Sequence, residues 1–167
     1  MDIRAFVARH SRVRLTPTQW SELIRQLGRR AGGVRESGAF LLAKVGARRP
    51  AVRRIVYYDD LDPASLNGGV VLRSPAYGKL WSLCRAEGMR VIADLHTHGG
   101  TLIQQSDVDQ TNPTVAIRGH VAIVVPHLAS RPIRATECGV HLYLGGHRWQ
   151  SHLGRRAARV LYVGRWA

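Results

Sequence analysis

The stretch Val91 to Asp109, VIADLHTHGGTLIQQSDVD, restricts what this chain can fold into more than any other segment. An apolar run ends in His96-Thr97-His98, and Ser106-Asp107-Val108-Asp109 follows after a loop. A strand alternates its side chains between two faces, so His96 and His98 point the same way at its end. With Ser106 capping a short helix, its hydroxyl and the Asp109 carboxylate, three residues on, share a face. Imidazoles and a carboxylate are the ligands of catalytic zinc sites, where three protein ligands leave the fourth tetrahedral position for water. Ordinary surface or hydrogen-bonded histidines give the same spacing, so spacing alone leaves that alternative open.

The pattern His96-x-His98, seven residues, then Ser106-x-x-Asp109 resembles the JAMM motif of the JAB/MPN metallopeptidase family, whose members are zinc isopeptidases. That family adds a glutamate far upstream at the start of a strand, and Glu36 in Glu36-Ser37-Gly38-Ala39-Phe40-Leu41-Leu42 looks like it. The resemblance runs from about Glu36 to Pro126 and departs at Gly99, where many members carry proline. Glycine there leaves the ligands intact but removes a stiffening element from the following loop.

The resemblance implies an α/β (α+β) fold, a single mixed β-sheet flanked by helices in an MPN/JAB-like sandwich. It implies one zinc ion held by His96, His98 and Asp109, with Glu36 moving protons and Ser106 donating a hydrogen bond to the developing oxyanion. The implied reaction is hydrolysis of the amide after the C-terminal tail of a ubiquitin-like protein, as deconjugation or precursor processing in a bacterial ubiquitin-like system. Its partners would be that protein, its conjugates, and the activating and conjugating enzymes. Two alternatives share the resemblance: a non-catalytic MPN scaffold or binding module, and a hydrolase that processes sulfur carriers. An extended substrate tail could add a strand to a sheet edge beside the site. Asp94, two before His96 on the same strand face, is a rival carboxylate for the metal or a partner that orients a ligand imidazole. The motif's register favours Asp109.

A length of 167 residues with 45% hydrophobic content suits one domain, 1–167. Met1 to Arg14 carries no secretory pattern, and no apolar run approaches the roughly 20 residues that span a bilayer, so a cytoplasmic protein is expected, with no membrane partner. Cys84 and Cys138 are too few for a disulfide framework and are expected as free or buried thiols. The net charge of +14, from 25 Lys and Arg against 11 Asp and Glu, favours acidic partners. Its arginines lie in scattered pairs without an aromatic-rich motif, so no specific nucleic-acid site is expected.

Along the chain, Val13-Arg14-Leu15 alternates as a short strand. Thr16-Pro17-Thr18-Gln19 forms a capping box before Trp20, Leu23, Ile24 and Leu27 at helical spacing, with Gly28 or Gly32-Gly33 as the stop. Ser37 to Val45 and Val52 to Tyr58 read as a hairpin, followed by a solvated acidic turn at Asp59, Asp60 and Asp62. After a loop at Asn67-Gly68-Gly69, Val70-Val71-Leu72 suggests a short strand. Ser74-Pro75 opens a second helix with Tyr77, Leu80, Trp81 and Cys84 on one face, ended by Gly88. Strands follow at Met89 to Leu95 and Gly119 to Pro126, then a hairpin of Cys138 to Leu144 and His147 to Gln150, and a last strand at Val160 to Val163. His10, His120, His127, His141, His147 and His152 are read as exposed or hydrogen-bonded histidines outside the site.

Overall fold

The computed structural model describes residues 11–67 and 70–167; His10, the rest of residues 1–10 and Gly68-Gly69 lie outside the described residues. In chain order the elements are β1 (Val13–Leu15), α1 (Pro17–Ala31), β2 (Gly38–Lys44), β3 (Arg54–Tyr57), α2 (Tyr58–Leu61), α3 (Ser74–Glu87), β4 (Met89–Thr97), α4 (Asp107–Thr111), β5 (Val121–Val125), β6 (Gly139–Gly145), β7 (Arg148–His152) and β8 (Leu161–Val163). Strand alternation in β2 sets the layering, because Ala39, Leu41 and Ala43 enter one apolar cluster while Phe40 and Leu42 enter another. The first cluster is covered by Trp20, Leu23, Ile24 and Leu27 of α1, the second by Ala76, Leu80 and Cys84 of α3. A mixed sheet is therefore sandwiched between helices, which is why its central strands read as continuous apolar runs.

That sheet has the order β3-β2-β4-β5-β6-β7, with β4 antiparallel to β2 and parallel to β5. The last strand joins neither edge of it: β8 pairs in parallel with β1 in a separate two-stranded sheet. Val13, Leu15 and Leu161 drive that placement, since all three are buried in the cluster under α1. Among the described residues no helix is long and apolar enough to cross a membrane. Cys84 and Cys138 are free and buried, as expected.

Several local readings change. Val70-Val71-Leu72 has strand-like residues but no partner strand, and its middle residue is exposed. Ser74 is not the cap of α3; Arg73 occupies that position without a side-chain capping bond, and Gly88 ends the helix in the left-handed conformation as expected. The acidic turn is not simply solvated. Asp59 and Asp60 pair with Arg30 at 2.6 and 2.8 Å, and buried Asp62 pairs with Arg73.

Helix α1 has the predicted capping box at Thr16 and Gln19, but it runs through Gly28 and stops at Gly32 (φ 59°). Gly28 is needed for packing: a Cβ there would come 2.5 Å from the Ala129 carbonyl oxygen. Glycine to alanine inside a helix ordinarily stabilises by about 1 kcal/mol. Here the clash reverses the sign, so Gly28→Ala is expected to lower the urea midpoint of unfolding; a raised midpoint would show that α1 can move away from residue 129 without cost.

Candidate metal centre

Strand β4 continues two residues past its predicted end, through His96 and Thr97. His96 pairs across to Gly38 on β2 and to Val124 on β5, so the first imidazole is carried by a strand held on both edges. His98 follows, its N–H donating to the Val125 carbonyl at 2.9 Å. The two Nε2 atoms lie 3.0 Å apart. Ser106 caps α4 with a reciprocal box to Asp109: the Asp109 N–H donates to Ser106 Oγ at 3.2 Å, and the Ser106 N–H donates to Asp109 Oδ2 at 2.8 Å. The box turns that carboxylate toward the histidines, with Oδ2 at 3.6 Å from His96 Nε2 and 3.5 Å from His98 Nε2.

All three donor atoms lie within 4.8 Å of one another, and theirs is the one such group among the described residues. A tetrahedral ion with bonds of about 2.0–2.1 Å holds its ligand atoms roughly 3.3–3.4 Å apart. Edges of 3.0, 3.5 and 3.6 Å fit that spacing. The electrostatics agree. Burial works against a charge on His96, but Asp109, with help from Asp94 and Glu36, outweighs it and pushes the imidazole pKa up. Burial also opposes ionisation of Asp109, yet the two histidines and Ser106 hold it well below the usual carboxylate range. The point between these groups is one where positive charge is favoured.

Glu36 lies just before β2 rather than within it. Its position is fixed by its neighbour: the Ser37 N–H donates to Thr97 Oγ1 and the Thr97 N–H to the Ser37 carbonyl, both at 2.9 Å. Ser37 and Thr97 are buried on the α1 side, where Ser37 Oγ donates to the Leu27 carbonyl at 2.9 Å. Alternation then sends Glu36 to the opposite side, with the histidines. Glu36, His96, His98, Ser106 and Asp109 all line one cavity of about 1120 Å³. Its apolar walls are Val70, Val71, Leu72 and Tyr77 on one segment and Leu102 and Val108 on another.

Asp94 lies outside the group of His96, His98 and Asp109, and its hydrogen bonds go to residues other than His96 and His98. Its Oδ1 is 2.5 Å from His120 Nε2, and its Oδ2 accepts from the Tyr58 hydroxyl at 3.1 Å. His120 is thus hydrogen-bonded, as expected, and His141 is too. His147, at the β6–β7 turn, is exposed but does line the cavity, which its sequence context did not indicate. Tyr58 was also missed as a site neighbour; a tyrosine closing a hairpin strand gives no sign that its hydroxyl meets a carboxylate thirty-six residues on.

No family model matches the sequence. The fold is similar to the solution structure of a protein from Desulfitobacterium hafniense, at 17% identity and a TM-score of 0.58 over 90% of this chain and 92% of that one. It is likewise similar to a protein from Salinibacter ruber, at 15% identity and a TM-score of 0.57 over 85% and 90% of the two chains. A JAB1/MPN domain protein from Archaeoglobus fulgidus aligns at 13% identity and a TM-score of 0.44, over 80% and 90%. The first two give a shared fold; the chemistry rests on the residues of the site.

The Asp94–His120 pair is 2% exposed on each side. Removing one partner of such a pair strands a buried charge and typically costs 3–5 kcal/mol. His120→Ala is therefore expected to lower unfolding free energy by about that much, measured by urea denaturation. A loss near zero would mean that Asp94 finds another partner or is neutral.

Proposed function

We propose that this protein is a zinc-dependent amide hydrolase of the JAB/JAMM kind, acting as an isopeptidase or protease after the C-terminal tail of a ubiquitin-like protein. The observation that carries the reading is the convergence of His96, His98 and Asp109 on one point in a cavity that also holds Glu36 and Ser106. Two neutral imidazoles and a carboxylate suit zinc, and those three residues would hold it. When bound, zinc supplies Lewis acidity and lowers the pKa of water from about 15.7 to roughly 7.

The remaining work falls to the chain itself. Glu36, outside the ligand set but in the same cavity, takes a proton from water and returns it to the departing amine. Ser106 Oγ now donates to Asp109 Oδ2 at 2.7 Å, and rotation of the hydroxyl hydrogen alone redirects it to an oxyanion. Apolar walls position an uncharged stretch of substrate and exclude water. Among the described residues no lysine or arginine lines the cavity, although the chain carries 25 of them. A free terminal carboxylate finds no basic side chain there to bind it, which favours an amide flanked by chain on both sides. The scattered basic surface suits acidic faces of a ubiquitin-like protein or of the enzymes that activate and conjugate it.

Metal analysis of purified variants tests the centre. Asp109→Ala is expected to lose stoichiometric zinc, while Asp94→Ala loses stability and keeps it; the opposite result would exchange the two assignments. On a ubiquitin-like fusion, Glu36→Gln is expected to retain zinc and lose turnover. Ser106→Ala should lower turnover by about 10²- to 10³-fold. Cleavage that survives a chelator would refute the metal-dependent reading.

A further inference from the structure

Helix α4 is five residues long and has no buried residue, so it cannot fix its own position. Isolated helices shorter than about 12–15 residues are marginal even with favourable sequences. Something else must therefore hold Asp109 opposite the two histidines. The loop between His98 and Ser106 has no regular structure, and at its middle the Ile103 carbonyl accepts a hydrogen bond from His141 Nε2 at 3.0 Å. A carbonyl can only accept, so Nε2 carries the proton. The other ring nitrogen, Nδ1, accepts from Ser151 Oγ on β7 at 2.9 Å, which fixes the tautomer.

The contact is built in from both sides. His141 is 2% exposed. Gly139, two residues earlier on the same face of β6, lets the Ile103 carbonyl rest on the strand: a Cβ there would lie 1.8 Å from the Ile103 oxygen and 2.7 Å from His141 Nε2. Beyond the carboxylate, the Trp149 indole N–H on β7 donates to the Gln110 carbonyl of α4 at 3.1 Å. Both ties come from the β6–β7 hairpin, whereas the histidines are carried by β4 between β2 and β5. Each half of the ligand set thus has its own support.

We propose that His141 is a positioning residue for the metal centre: by holding Ile103 it sets the reach of Asp109 to a cation bound by His96 and His98. This rests on reading those three residues as a metal site. It predicts a defect confined to the carboxylate, with the imidazole pair intact. A residue that only stabilises the core has no such selectivity.

Zinc affinity is measured by competition with a chromophoric chelator for wild type, His141→Ala, His141→Gln, Asp109→Ala and the double variant His141→Ala/Asp109→Ala. Groups that orient metal ligands typically contribute about 10- to 100-fold in affinity. His141→Ala is expected to weaken zinc by that range, His141→Gln, which keeps a donor, to recover most of the loss, and the double variant to bind no more weakly than Asp109→Ala alone. Equal affinity of His141→Ala and wild type, or a further loss in the Asp109→Ala background, would overturn the proposal. Ser151→Ala, at an exposed position, gives a milder test if His141→Ala does not fold; it is expected to weaken zinc in the same direction, and unchanged affinity counts against the proposal. Amide exchange of the metal-free proteins separates the two readings. Faster exchange in His141→Ala confined to residues 103–111 sustains the anchoring even if wild type takes up no zinc, a result that would sink the metal reading alone. Unchanged exchange there overturns the anchoring.

Discussion

Two imidazole nitrogens held 3.0 Å apart at the end of β4 are the constraint around which the rest is arranged. Two acceptors at that distance repel unless a proton or a cation lies between them, and the Asp109 carboxylate increases the demand for positive charge. Strand β4 fixes the place of His96, because both of its edges are paired and its residues Ala93 and Leu95 are fully buried.

The loop after His98 has glycine at a position where the resembling family often has proline, and the structure shows what stiffens it instead. Leu128 N–H donates to the His98 carbonyl at 2.9 Å and His127 N–H to the Gly100 carbonyl at 2.7 Å. Making both bonds requires three consecutive residues, His127, Leu128 and Ala129, to take left-handed φ of 58°, 52° and 52°. That conformation costs non-glycine residues about 1–2 kcal/mol each and persists only where surrounding contacts enforce it. Here the enforcing contact includes α1, whose Gly28 packs against the Ala129 carbonyl. Helix α1 therefore reaches the candidate metal centre through that turn.

Features set by nearby residues were legible in the sequence: the capping box at Thr16, Ser106 as the cap of a short helix, the alternation that aims His96 and His98 together, the buried runs of β2 and β5. The layered mixed sheet followed from them. What was not legible depends on contacts between distant segments. Val70 to Leu72 has the composition of a strand, but the Val71 N–H donates to the Ser65 carbonyl at 3.0 Å, a local loop contact rather than a strand pairing. β8 reads as one more strand of the main sheet, yet its register with β1 is fixed only when those two distant segments meet under α1. His141 carried a faint signal, a histidine between Val140 and Leu142 in a buried strand, which requires a partner for each ring nitrogen. That one partner is the carbonyl of Ile103 could not be read, because the loop's path is irregular.

The two carboxylates near the histidines show how environment divides roles that sequence leaves equal. Asp94 and Asp109 are both within reach of the imidazoles by simple spacing, and Asp94 has the better strand position. Its oxygens, however, are committed to His120 and Tyr58 in a setting with almost no solvent, where breaking either contact would expose an unpaired charge to low dielectric. Asp109 sits on a short helix at the cavity wall, and its Oδ2 faces both imidazoles. A carboxylate that holds a cation must exchange its partners for it at little cost, a requirement that favours Asp109 in the proposed reading. Asp94 acts at a distance instead: its charge adds to that of Asp109 in raising the His96 pKa. The fully buried carboxylate strengthens the field that the half-buried one would use.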